Sequence, residues 1–165
     1  IREHISFPAF EFADLLAEAE WEDSEFGKVC NSKFLFVVFK KNELGVYELR
    51  GCEFWSMPAE VVDAAEATWK ETRRVVERGV EFIQGMPYCK DGYPTIENDL
   101  PGSDYNRIAH VRPHASQRAY RFADGSVVGN VARDASELPD GRAMTKQSFW
   151  LDKGVVEKLL KDRGY

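Results

Sequence analysis

Lys33-Phe34-Leu35-Phe36-Val37-Val38-Phe39-Lys40 is the stretch on which the fold class turns. It is apolar throughout between two lysines and reads as the clearest strand of the chain. A run apolar on both faces is expected in the middle of a covered sheet. Asn42 and Gly45 then turn the chain into Val46-Tyr47-Glu48-Leu49-Arg50, which alternates as a half-buried partner strand. Gly51 is expected to bend that strand before Phe54 and Trp55.

Upstream, Ser6 to Phe12 alternates Phe10 and Phe12 around Glu11, and Pro8 marks it as an edge strand because proline has no N–H for a central ladder. The acidic stretch from Asp14 to Phe26 is expected to be helical in part. Downstream lies the strongest helix. Ser56 is placed to cap it, Pro58 sits where a missing N–H costs nothing, and Gly79 stops it. Val61, Val62, Ala65, Trp69, Thr72 and Val76 recur at helical spacing, acids fall early, and Lys70, Arg73, Arg74 and Arg78 fall late. That order complements the helix dipole, so these cations belong to a scaffold helix.

A short strand over Val80–Ile83 precedes an aperiodic segment from Gly85 to Tyr105, a length that in a compact domain marks a binding loop, a lid or disorder. Arg107 to Arg112 reads as a strand with Ile108, His110 and Arg112 on one face, ended by Pro113. Ser116 to Ser136 is irregular, with a strand at Val127-Val128. Leu138-Pro139-Asp140-Gly141 is a turn, Arg142 to Leu151 a strand, and Asp152 the cap of a helix docked by Val155, Leu159 and Leu160. Strands interleaved with a few helices predict a mixed α/β or α+β fold.

The 165 residues suit one domain spanning 1–165, at roughly 100–200 residues per domain. A 44% hydrophobic fraction excludes intrinsic disorder, and no apolar run nears the roughly 20 residues of a membrane span. Cys30, Cys52 and Cys89 form no CxxC pair and stand at no zinc spacing with the histidines, so free thiols in a reducing cytoplasm are expected. The chain starts at Ile1 without Met or signal peptide and is expected to be a piece of something longer. The net charge of −6 hides a split, −10 over residues 1–105 and +4 over 106–165. Either the charges are scattered over solvated faces, or an anion-binding surface lies in the last third.

Metal-dependent phosphodiester cleavage calls for acidic ligands and a lysine, which on a strand share a face as (Asp/Glu)-x-Lys. None of the ten lysines has an acid two residues before it. Gly-x-Ser-x-Gly and Gly-Lys-(Ser/Thr) are absent too. From the residues alone, the chain reads as non-catalytic.

Three segments in order resemble one family: Lys33–Phe39 with Phe54-Trp-Ser-Met-Pro58 and the Trp69 helix; Ile108-Ala-His-Val-Arg-Pro-His-Ala115; and Leu138-Pro-Asp-Gly-Arg-Ala-Met-Thr-Lys-Gln-Ser-Phe-Trp150. The family is that of the mismatch-repair nickase MutH and the related GATC-cutting type II restriction endonucleases. The closer likeness is to the second, MutH-like half of those endonucleases, which lacks the active site, binds GATC and acts as an allosteric effector. The resemblance implies a restriction-endonuclease-like fold with a mixed sheet flanked by helices. It implies double-stranded DNA and the catalytic MutH-like domain of the same parent chain as partners, with no cofactor for this domain and Mg2+ for the parent enzyme.

Two alternatives stand beside it: a fragment of a magnesium-dependent nuclease whose catalytic strand precedes residue 1, and a protein-interaction module that no longer binds DNA. On the family pattern Arg112, Pro113 and His114 read bases, with Arg112 on guanine and His114 where the family has lysine. Asp140, Gly141, Arg142, Lys146 and Gln147 form the other half of the reading surface, and Arg118, Arg121, Arg133 and Lys146 hold phosphates. The family's methylation-sensing tyrosine falls on Ala143 or Met144, so that role does not carry over. Lys33 lies near a family active-site lysine but reads as a lysine snorkelling from a strand end.

Overall fold

A computed structural model describes residues 4–85 and 95–165. The elements follow in the order β1 (Ile5–Phe10), α1 (Phe12–Ala17), α2 (Glu25–Cys30), β2 (Lys33–Lys41), β3 (Tyr47–Ser56), α3 (Ala59–Arg78), β4 (Phe82–Gln84), β5 (Ile96–Asn98), β6 (Ala109–Pro113), β7 (Tyr120–Arg121), β8 (Val127–Val128), α4 (Val131–Asp134), β9 (Ala135–Glu137), β10 (Ala143–Thr145), β11 (Gln147–Leu151) and α5 (Lys153–Asp162). The class is α+β, within the mixed α/β or α+β reading of the sequence, but the mixed central sheet that the resemblance implies is not found: no two described strands pair in parallel. The described strands divide among four antiparallel sheets, ordered β1-β11-β6, β8-β7-β10-β9, β2-β3 and β4-β5.

The core lies where α3 meets the β1-β11-β6 sheet. Helix α3 buries Val61, Ala65, Trp69, Val75 and Val76, while Ala109, Val111, Phe149 and Leu151 are buried on the strands. Phe149 stacks on Phe26 of α2 with centroids 4.2 Å apart, and Trp69 meets Trp21 at 5.9 Å. Thr68 Oγ1 donates to the Ala64 and Ala109 carbonyls and accepts from Asn106 Nδ2, which ties the helix to the start of β6. β1 is an edge strand, with Pro8 inside the irregularity between Ser6 and Ala9, so no ladder bond is asked of its nitrogen.

Several expectations change. The 33–40 run is a strand but lies in no covered sheet: β2 pairs only with β3 among the described strands, Phe34 and Phe36 pack against the core, and Leu35, Val37 and Phe39 face solvent. β3 is more exposed than expected and passes through Gly51, with an irregularity there that leaves Arg50 without a register partner. Phe12 opens α1 instead of extending the edge strand. Ser56 ends β3, and Pro58 holds the N-cap position of α3 without a side-chain bond. Gly79 does stop α3, with φ +103. The 142–151 strand breaks at Lys146 into β10 and β11. The 85–105 segment holds β5; residues 86–94, Cys89 among them, lie outside the described residues. Cys30 is buried, which pushes its thiol up to about 12, and Cys52 is exposed.

Candidate nucleic-acid interface

The three-stranded sheet sorts its side chains by parity. β11 and β6 run antiparallel with Ser148 opposite Arg112, Phe149 opposite Val111 and Trp150 opposite His110. Successive strand residues point to opposite faces, so Val111, Phe149 and Leu151 go to the core while His110, Arg112, Ser148 and Trp150 share the other face. His110 and Arg112 therefore lie together as the sequence predicts, whereas Ile108 precedes the strand and packs against the core.

One indole organises this polar face. The Arg112 guanidinium carbon stands 5.3 Å from the Trp150 ring centre, and the His114 ring stands 5.7 Å from the same indole. A guanidinium over an indole is held electrostatically and by dispersion while its edge N–H groups stay free to donate. His114 Nδ1 lies 3.1 Å from the Phe7 carbonyl oxygen and 3.0 Å from Ser148 Oγ, which fastens the end of β6 to β1 and β11.

Beneath, His110 is 1% exposed and meets His4 edge-on at 5.0 Å. Both His110 ring nitrogens and Trp150 Nε1 are buried without a hydrogen-bond partner among the described residues. Burial foremost, then the nearby charges of His4 and Arg112, pull the His110 pKa down to about 4. It is therefore a neutral ring at pH 7.

Lys146, between β10 and β11, extends the basic patch. Its carbonyl accepts from His114 N at 2.7 Å and its N–H donates to the Asp134 carbonyl. Its Nζ lies 2.9 Å from Glu11 Oε1. Burial raises the Glu11 pKa, but hydrogen bonds from Ser136 and Lys146 outweigh it and hold the carboxyl below its usual value. Arg133 is paired with buried Asp134 through Nε and Nη2. Gln147 was expected on the reading surface; it is 1% exposed and its amide donates to the Thr145 carbonyl, so it lies beneath that surface. Pro113 sits opposite it and ends β6.

The turn residues form a second group. Gly141 takes φ +84 and its N–H closes the turn onto the Leu138 carbonyl. Asp140 Oδ1 and Oδ2 accept from Arg142 N and Nε, and the Arg142 guanidinium foremost holds the Asp140 carboxyl below its usual value. Arg142 also donates to the Val80 carbonyl at 2.6 Å and lies 4.5 Å over the Phe82 ring. Arg121 donates to the Gly141 carbonyl and to Glu137. Arg118 is half-buried where the chain enters β7; with φ +71, Gly129 comes so near that a Cβ there would stand 2.1 Å from the Arg118 carbonyl oxygen. Among the expected cations, then, Arg112 sits with His114 and Lys146 at one strand junction. Arg121 and Arg142 brace the turn instead, which the sequence does not reveal because their acceptors are carbonyls distant along the chain.

The sequence reading missed Trp150 and Ser148 as supports. The available signal was their strand period of two with the partner register to Arg112, which needs the pairing to be known. Lys33 rests its Nζ 5.8 Å from the Phe54 ring, as a strand-end lysine. Among the described residues no three His, Cys, Asp or Glu side chains come together in a way that could hold a metal ion, and no helix is long and apolar enough to cross a membrane.

No family model matches the chain. The type II restriction enzyme Sau3AI of Staphylococcus aureus is 34% identical to it over 176 residues, an alignment that takes in 98% of this chain and 35% of that enzyme. The chain is thus similar along almost its whole length to a type II restriction enzyme, and spans 35% of that relative.

Proposed function

We propose that this chain binds double-stranded DNA at GATC and serves as the non-catalytic, regulatory part of a type II restriction endonuclease, acting on a catalytic MutH-like domain of the same parent chain. The observation that carries the reading is the exposed pairing of Arg112 and His114 on the Trp150 indole, in a chain 34% identical to a restriction enzyme. The Arg112 fork fits the two acceptors of guanine, O6 and N7, in the major groove. Lys146 adjoins this face through its backbone bond with His114, and Arg133 lies next to it through Asp134. These two, with Arg118, are the groups assigned to phosphates, and the Asp140–Arg142 turn is assigned to the groove wall. Magnesium belongs to the parent enzyme's cleavage step and is assigned no ligand in this chain, which lacks (Asp/Glu)-x-Lys.

Fluorescence anisotropy with labelled GATC and scrambled duplexes at low salt tests the proposal. The chain should prefer GATC, and Arg112→Ala should cost about 1–3 kcal/mol of binding and flatten that preference. Retention of the parent's discrimination by the variant would overturn the assignment. Absence of binding at micromolar protein would favour a protein-interaction module.

A further inference from the structure

The contacts of His114 set its chemistry as well as its position. A carbonyl oxygen has no proton to give, so the 3.1 Å approach of Nδ1 to Phe7 O places the neutral ring's proton on Nδ1. Ser148 Oγ, 3.0 Å away, is a second acceptor for the same N–H. Nε2, across the ring from these anchors, is then a lone-pair acceptor. The exposed end of β6 thus offers two different groups: a forked donor on Arg112 and a single acceptor on His114.

The major groove distinguishes these groups. Guanine presents two acceptors that match the fork, while adenine N6 and cytosine N4 present amino donors. A lysine in place of His114 could only donate; an imidazole with Nδ1 committed inward can only accept. Two residues along a strand span about 6.6 Å, just under two steps of roughly 3.4 Å between stacked bases. Because both side chains converge on the Trp150 indole, their tips come closer than that, which sets His114 against the pair beside the one that Arg112 reads. In GATC the base following guanine is adenine.

We propose that His114 is a specificity-determining residue that accepts a hydrogen bond from the adenine N6 amino group beside the guanine contacted by Arg112, with its tautomer set by the Phe7 carbonyl. This rests on the GATC-binding reading above and adds the second base contact to it.

The test uses the 165-residue chain with three duplexes: GATC, GATC with adenine replaced by unsubstituted purine, which lacks the amino group, and GATC with 7-deazaguanine, which lacks N7. The parent should bind the purine duplex about three- to tenfold more weakly, the worth of one hydrogen bond. His114→Asn places an amide N–H where Nδ1 stands and keeps the Phe7 anchor, but has nothing at Nε2. It should bind the GATC and purine duplexes equally while still discriminating against 7-deazaguanine. His114→Gln, whose amide reaches the Nε2 position, should retain the adenine preference.

Equal binding of the two duplexes by the parent overturns the inference, and so does a persistent adenine preference in His114→Asn. With discrimination against 7-deazaguanine intact, either result leaves the GATC reading standing. Equal binding of all three duplexes by the parent overturns both.

Discussion

His110 shows how much a single side chain decides beneath an exposed surface. Its ring is buried, neutral and without hydrogen-bond partners among the described residues, and its pKa lies near 4 against about 6.5 for a free imidazole. A base with a lowered folded-state pKa contributes fully above the unfolded value and loses its contribution as pH falls. Stability from urea denaturation should therefore hold steady above about pH 6.5 and decline towards pH 4, by about 3 kcal/mol. His110→Leu should flatten that slope and leave stability at pH 7 equal or higher, since no hydrogen bond is lost. Glu11 works in the opposite sense on function. Its carboxylate holds the Lys146 ammonium at 2.9 Å beside the proposed DNA face. Glu11→Gln should release that cation and tighten duplex binding about two- to fivefold at low salt, read by anisotropy, with the gain fading as salt screens it.

The element with the least support is the β2–β3 hairpin. Its outward face carries Leu35, Val37, Phe39, Leu49 and Phe54, all about half exposed or more, flanked by Lys33 and Lys41 over Phe54 and Tyr47. Its inward face carries Phe34, Phe36 and buried Trp55, with Trp55 5.7 Å from each phenylalanine ring. The two faces should respond differently. Trp55→Ala should cost about 3–5 kcal/mol by chemical denaturation, whereas Phe54→Thr should stay within about 0.5 kcal/mol. The sequence misread this hairpin because both parities of residues 34–39 are apolar, so periodicity names no buried face and gives no count of covering layers. Helix α3 was legible for the opposite reason: its apolar stripe, its early acids and late bases, and Gly79 all agree.

Across the whole molecule, the −6 total argues against nucleic acid until it is divided into −10 and +4. The structure divides it further. Arg121, Arg133, Arg142 and Lys146 each face an acid, Glu137, Asp134, Asp140 and Glu11 respectively. The field available to phosphate is therefore smaller than the count of cations. The expected dependence of affinity on salt is correspondingly shallow: a plot of log Kd against log salt should rise with a slope of about 2–4. A slope near zero in a titration from 50 to 200 mM salt would show that phosphate contacts are not what holds the complex.

Sequence alone determined the α+β class, the edge strand at Pro8, the scaffold helix, the Leu138–Gly141 turn, the absence of (Asp/Glu)-x-Lys, and the basic last third with Arg112 within it. These are properties of local spacing and composition. Tertiary structure decided which cations are presented and which are spent. Arg142 ends on the Val80 carbonyl, Gln147 goes under the sheet, and Trp150 comes beneath both Arg112 and His114. Each of those outcomes depends on a strand register or on an acceptor far away in the chain, and a side chain's partners across a sheet are set by pairing, which no local pattern encodes.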